Sequence, residues 1–303
     1  MSGPTERPRT LKRVGETPRA GAASGRFSTP KGSASAQSLY LTADRLYRTA
    51  REMSEGDWEL LNFVHESRFA TGQQLVQAFW WTGEHDSSVA RAGRRALKRL
   101  ADWRVLETLP RRIGGIRTGS DGLVYHVGRA GVRLLAQRGI HGPRVEAPGT
   151  RHLAHTLATT ELALRLREAH RTNELEVIEV QQEPACWREY LGAGGARRTL
   201  KPDLFVRIGA GDLEDRWMVE IDLSSESGRT IARKAAIYLE DCRSGREQRQ
   251  HGTYPRVLWA VPDTRRAEQI VEVLRHTPME ARRLLTVCLM DEVVAHLAAE
   301  ARS

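Results

Sequence analysis

The stretch Trp217-Met218-Val219-Glu220-Ile221-Asp222-Leu223 alternates bulky apolar residues with two carboxylates. Successive side chains of a β-strand point to opposite faces, so a strand here sets Val219 and Ile221 on one side and Glu220 and Asp222 on the other. The centre of a sheet covered on both faces is ordinarily apolar throughout. Burying an unpaired carboxylate costs on the order of several kcal/mol. The two acids therefore require compensation: solvent in a cleft, basic partners or a bound cation. Hard divalent cations such as Mg²⁺ favour sets of carboxylate oxygens.

Other residues widen the pattern. Asp203 opens an earlier strand in Lys201-Pro202-Asp203, and Glu161 lies in a helix upstream. The helix after the charged strand carries Arg233, Lys234 and Tyr238, with Lys234 and Tyr238 four apart on one face. Acids from a helix and two strands, beside a lysine, suit metal-assisted phosphodiester hydrolysis, in which the metal activates water and the lysine binds phosphate. On that reading Asp203, Glu220, Asp222 and Lys234 are the catalytic candidates, and Asp203 and Glu220 are the ligands of Mg²⁺. Two other readings of the same residues stand beside it. One is a metal- or DNA-binding domain that does not cleave, and the other is a salt-bridge network with neighbouring arginines.

Around this strand, periodicity predicts a helix over 152–170, strands at 175–180, 204–208 and 216–223, and a helix over 229–242. Strand 257–261, helix 264–275, strand 284–289 and a last helix from 291 follow. Residues 152–303 thus read as an α/β domain with an αβββαβ core and helices covering one sheet. Residues 141–151, with two prolines and two glycines, read as a linker.

Residues 41–140 read differently. Helices are predicted over 41–53, from Asp57, from Thr71 and from about Ser87 to Trp103, with Thr71 and Ser87-Ser88 as capping residues. Strands at 105–109 and 123–127 flank a Gly/Arg/Ser turn, and a helix over 130–138 ends at Gly139. The last three of these helices followed by a hairpin give the order of a winged helix-turn-helix, an α+β module that presents its third helix, here the one from Ser87, to the major groove. That helix carries Arg91, Arg94, Arg95, Lys98 and Arg99, with Asp102 the one acid near its end, and the hairpin adds Arg111, Arg112 and Arg117. These eight are the candidate DNA contacts. An ordinary solvated face mixes both signs; protein docking or dimerisation is the other use of such a module.

The 303 residues carry a formal net charge of +9, which favours an anionic partner, double-stranded DNA first among them. Five of the 47 basic residues are lysines, so Lys234 stands out as a titratable cation. Residues 1–40, rich in Pro, Gly, Ser, Ala and Arg, read as a disordered basic tail. Cys186, Cys242 and Cys288 are far apart, which argues against a disulfide framework and fits a reducing compartment. With no apolar run long enough for a bilayer and no signal-peptide core, the expected location is the cytoplasm, with no membrane partner. His152 and His155 lack matching ligands and read as surface or satisfied histidines. Gly192–Gly195 lacks the context of a phosphate loop and reads as a flexible turn. Trp80-Trp81 reads as core packing.

The order helix–strand–strand–strand–helix–strand, with Pro202-Asp203 and then Glu220-Ile221-Asp222, resembles the restriction-endonuclease-like PD-(D/E)xK fold over residues 152–262. Asp222 stands where that pattern has lysine; Lys234, on the following helix, takes the part by analogy. The whole chain resembles the replication-relaxation family of actinobacterial plasmid and mobile-element proteins over about residues 55–265. The residues that carry this are Gln74-Leu75, Arg95-Ala96-Leu97-Lys98-Arg99-Leu100, Tyr125-His126-Val127 with Gly131, Lys201-Pro202-Asp203, Glu220-Ile221-Asp222 with Glu226-Ser227, and Lys234 with Tyr238. The resemblance implies a role in plasmid replication, relaxation or transfer and leaves the activity open. Three functions are therefore expected in turn: a duplex-DNA-binding protein, a Mg²⁺-dependent nuclease or nickase, and an adaptor in a replication or conjugation complex. A homodimer or a replication or conjugation protein are the protein partners left open.

Overall fold

The computed structural model describes residues 41–80, 87–112, 122–142 and 149–302. The tail expected over 1–40, Trp81, Arg117 in the hairpin turn, and most of the expected linker lie outside the described residues.

Helix α1 (Ala43–Glu52) starts at Thr42, whose hydroxyl accepts the Arg45 N–H. Helix α2 (Glu55–Ser67) opens with a reciprocal cap in which Asp57 N–H donates to Ser54 Oγ and Ser54 N–H donates to Asp57 Oδ2, satisfying two otherwise orphaned donors. A two-residue strand β1 (Ala70–Thr71) leads into α3 (Gly72–Trp80). Thr71 and Gln74 repeat the same reciprocal cap there. Helix α4 (Ser87–Asp102), strands β2 (Leu106–Arg112) and β3 (Leu123–Val127) and helix α5 (Arg129–Gln137) complete the first half. β3 pairs antiparallel with both β1 and β2, giving the order β1-β3-β2. Leu46, Leu60, Leu61, Leu75, Leu97, Leu100 and Leu134 close a core among these helices with none of their surface exposed.

Helix α6 (Thr150–Arg171) follows. Strands β4 (Val177–Gln182), β5 (Arg188–Leu191), β6 (Arg197–Leu200), β7 (Leu204–Ala210) and β8 (Leu213–Ile221) come next, then α7 (Gly228–Ser244), α8 (Arg246–His251) and β9 (Arg256–Val261). The chain ends with α9 (Thr264–Arg275), α10 (Met279–Leu284), β10 (Leu285–Leu289) and α11 (Val293–Glu300). The principal sheet has the order β10-β9-β8-β7-β4, with β8, β9 and β10 parallel and β7 antiparallel to its two neighbours. One face (Val206, Trp217, Val219, Ile221, Leu258) packs with Leu162 and Leu166 of α6 and with α11. The other face meets α7 and α9: Met218 packs with Tyr238, and Trp259 packs with Ile231 and Ile270.

The structure is richer than the sequence pattern over 188–200. Gly194 and Gly195, both at positive φ, do make a turn, but it joins β5 to β6 in a two-stranded hairpin. These strands are four residues each and mostly polar, so period-two alternation had little length in which to show. Short, charged α8 and α10 escaped for the same reason.

Residues 41–303 form one compact unit, and α6 is why. Its Leu164 belongs to the first core, and Leu153 and Leu157 pack with Phe69, Leu109 and Val124. Its Thr160 hydroxyl donates to Phe69 O at 2.8 Å, and Gln74 Nε2 donates to Leu157 O at 3.0 Å. Gln182 Nε2 on β4 reaches Ser67 Oγ at 2.8 Å. Leu164→Ala is expected to cost about 2–5 kcal/mol, with the halves still unfolding together. Urea unfolding followed by circular dichroism and by tryptophan fluorescence should give coincident midpoints, and separated midpoints would contradict the shared helix.

Candidate functional site

Pairing brings the acids together at one end of the sheet. Asp203, just before β7, donates its N–H to Val219 O at 3.0 Å, and its Oδ2 accepts the Ile221 N–H at 2.7 Å. Its Oδ1 lies 2.9 Å from His155 Nε2 on α6. Gln182 on β4 pairs with Leu204, so continuing that antiparallel register by one residue sets Glu183 opposite Asp203. Glu220 and Asp222 do share the face opposite Val219 and Ile221, as alternation requires, but they turn to different helices. Glu220 accepts the Tyr238 hydroxyl at 2.5 Å through Oε1 and Lys234 Nζ at 2.6 Å through Oε2, both from α7. Lys234 also reaches Glu226 at 2.7 Å. Asp222 accepts Arg266 of α9 at 3.0 Å and the Ser225 N–H at 3.1 Å.

Asp203, Glu220 and Lys234 thus come together, whereas Asp222 belongs to an adjoining arginine pair. Glu161 does not join them: it accepts Gln74 Nε2 at 2.9 Å beside α3. The residue that α6 contributes is His155, one helical face away. His155 meets the expectation of a satisfied histidine, with Asp203 as its partner. Glu183 was missed, since only the β4–β7 register reveals its position.

The cluster is electrostatically tight. Burial, reinforced by the charge of Asp203, pushes the Glu220 carboxyl up to about 7 against the pull of Lys234 and Tyr238. Burial opposes the charge on Lys234 too, but Glu220 and Glu226 outweigh it and hold the ammonium above its ordinary value. Its bond with Asp203 raises His155 despite burial, and burial next to Asp203 raises Glu183.

Mg²⁺ is commonly held by one or two carboxylates together with waters and substrate phosphates. Here both oxygens of Asp203, Glu220 and Asp222 are engaged with protein donors or cations. Among the described residues no group of three or more His, Cys, Asp or Glu side chains is placed to hold a metal ion. As arranged, these carboxylate oxygens face protein partners, with which a cation would have to share them. Of the three forms of compensation that the alternation calls for, Lys234 supplies a basic partner for Glu220.

The second candidate surface is α4. Arg91, Arg95, Lys98 and Arg99 are exposed and Arg94 is half-buried. Lys98 pairs with Asp102 at 2.7 Å along the helix. Arg99 is committed to the fold: it holds buried Asp57 at 2.7 and 2.8 Å and stacks over Trp103 at 5.2 Å. Arg111 and Arg112 end β2. Trp80 packs against the first core, as its sequence context indicated.

Two outcomes follow. Arg99→Ala strands the Asp57 carboxylate and should cost about 1–3 kcal/mol in urea unfolding; an unchanged midpoint would show that the pair is not structural. Glu220, raised from 4.5 to about 7, favours the fold below its unfolded value, and this contribution is lost as pH rises through 7. The difference in unfolding free energy between the wild type and Glu220→Gln should therefore change by on the order of 1–3 kcal/mol between pH 4.5 and 7.5. Parallel pH curves for the two proteins would contradict the assignment.

No curated protein matches this chain. A family model described as replication-relaxation matches residues 61–257, about two thirds of the chain, from the first core through α7 to the start of β9. By that match, the protein is a member of the replication-relaxation family.

Proposed function

We propose that the protein binds duplex DNA through α4 and the β2–β3 hairpin, in the service of plasmid replication or relaxation or its control. The sheet half then acts as a non-cleaving framework. The observation that carries this reading is the α4 surface itself. Arg91, Arg95 and Lys98 are exposed on a helix that follows α2, β1 and α3 and precedes a hairpin, in a sheet ordered β1-β3-β2. That order suits a winged helix-turn-helix spanning residues 41–140, whose third helix enters the major groove. Phosphate contacts by such cations release counterions and give affinity that falls with salt.

The order of helix α6, strands β4, β7 and β8, helix α7 and strand β9 supports reading residues 152–303 as a restriction-endonuclease-like αβββαβ domain. Its acids, however, are closed on Lys234, Tyr238, Arg266 and His155. That closure favours a scaffold over a nuclease.

The test is titration of labelled duplex with the full chain, followed by fluorescence anisotropy across a salt series. Arg91→Ala with Arg95→Ala should lower the salt slope by about 2. No uptake of duplex in dilute buffer would overturn the reading. Supercoiled plasmid should stay uncut with Mg²⁺ or Mn²⁺. Nicking that Asp203→Ala or Glu220→Ala abolishes would replace the scaffold with a nuclease.

A further inference from the structure

We infer that the DNA backbone continues from α4 into a groove shared with α6, so that Arg167 and Arg171 of the sheet half grip the same duplex. This rests on the DNA-binding reading above and adds a second, separately placed set of phosphate contacts.

The groove holds about 760 Å³ and is lined by residues of α2, α3, α4 and α6, among them Phe79, Trp80, Arg95, Arg99, Arg167 and Arg171. Four guanidinium groups from two helices distant in sequence converge on one concave surface. Four acids lie nearby, of which Glu66 feels the charge of Arg167, which opposes the burial that raises its carboxyl. Asp57 is buried and spent on Arg99. Glu59 pairs with Arg167 at 2.9 Å and Glu168 pairs with Arg171 at 2.6 Å, and in both pairs each side chain is roughly half exposed. Solvated pairs of this kind contribute little, so either arginine can turn to a phosphate at small cost. Among the described residues Arg95 has no ion pair, and it is exposed on the groove wall.

The groove is also pre-shaped. Arg167 lies over the Phe79 ring at 4.8 Å, which holds its long stem against α3. Helix α6 is fixed to the first half by Leu164 in the first core, by the Thr160 bond to Phe69 O and by the two Gln74 bonds. The backbone of α6 therefore keeps a set position relative to α4, and only its arginine side chains have to turn. Anion contacts on such a framework need little ordering on binding, which is where association otherwise loses free energy. A duplex lying across α4 extends past one end of the helix, and a cationic groove adjoining α4 is the surface its phosphates meet.

The test uses the full chain and a labelled duplex across a salt series. Arg171→Ala, whose only described partner is Glu168 on its own helix, should lower the slope of log affinity against log salt by about 1, and Arg167→Ala with Arg171→Ala by about 2. Arg243→Ala, an exposed arginine on α7, should leave the slope unchanged. If the wild type binds duplex with the same slope as both variants, the sheet half is off the DNA path and this inference fails while the α4 reading stands. If the wild type takes up no duplex at all, both fall together.

Discussion

Helix α6 is buried along two sides, and the remaining architecture depends on that. Leu162 and Leu166 lie on the sheet, while Leu153, Leu157 and Leu164 pack with the first half. A helix apolar on one stripe can bury it against one neighbour; one apolar nearly all round must be enclosed. Three polar residues on α6 are bonded across the same junction: Thr160 to Phe69 O, Glu161 to Gln74 and Arg167 to Glu59. Helix α6 is thus a wall shared by the first core and the sheet. The orientation of α4 relative to the sheet follows from this one helix.

The same helix connects the fold to the acid cluster, because His155 near its start holds Asp203. Asp203 in turn accepts the Ile221 N–H, so one carboxylate links α6, the start of β7 and the end of β8. Charge at the site is compensated locally. Glu220 is paired with a lysine and a tyrosine from one helix, and Asp222 with an arginine from another. Removing one member of such a set leaves its partner buried and uncompensated, which is far more costly than the net worth of the pair. These residues are thus under structural constraint independently of any chemistry at the site.

Much of this was readable from the sequence. Alternation across Trp217–Leu223 gave the strand and the common face of Glu220 and Asp222, and helical spacing set Lys234 and Tyr238 on one face toward it. Those inferences hold because they use only the local period of the chain. Non-local register was not readable. Glu183 reaches Asp203 only through the β4–β7 pairing, Glu161 faces α3 because α6 packs there, and Asp222 finds Arg266 forty-four residues later. The β5–β6 hairpin and the two short helices α8 and α10 are too brief and too polar for periodicity to mark.

The arginines of α4 show where a charge count stops being an argument about binding. Read along the helix, Arg91, Arg94, Arg95, Lys98 and Arg99 form one basic stripe. In space, Arg99 serves the cap of α2 through Asp57, which itself holds the Ser54 backbone. Lys98 is partly neutralised by Asp102. Arg95 remains exposed on the groove wall, and the cations nearest it across that groove come from α6. A surface for a polyanion is set by which cations the fold leaves exposed and how rigidly they are spaced. Here that spacing is fixed by the packing of α6 rather than by the sequence of α4, so a polyanion that meets α4 also meets the arginines that α6 places beside it.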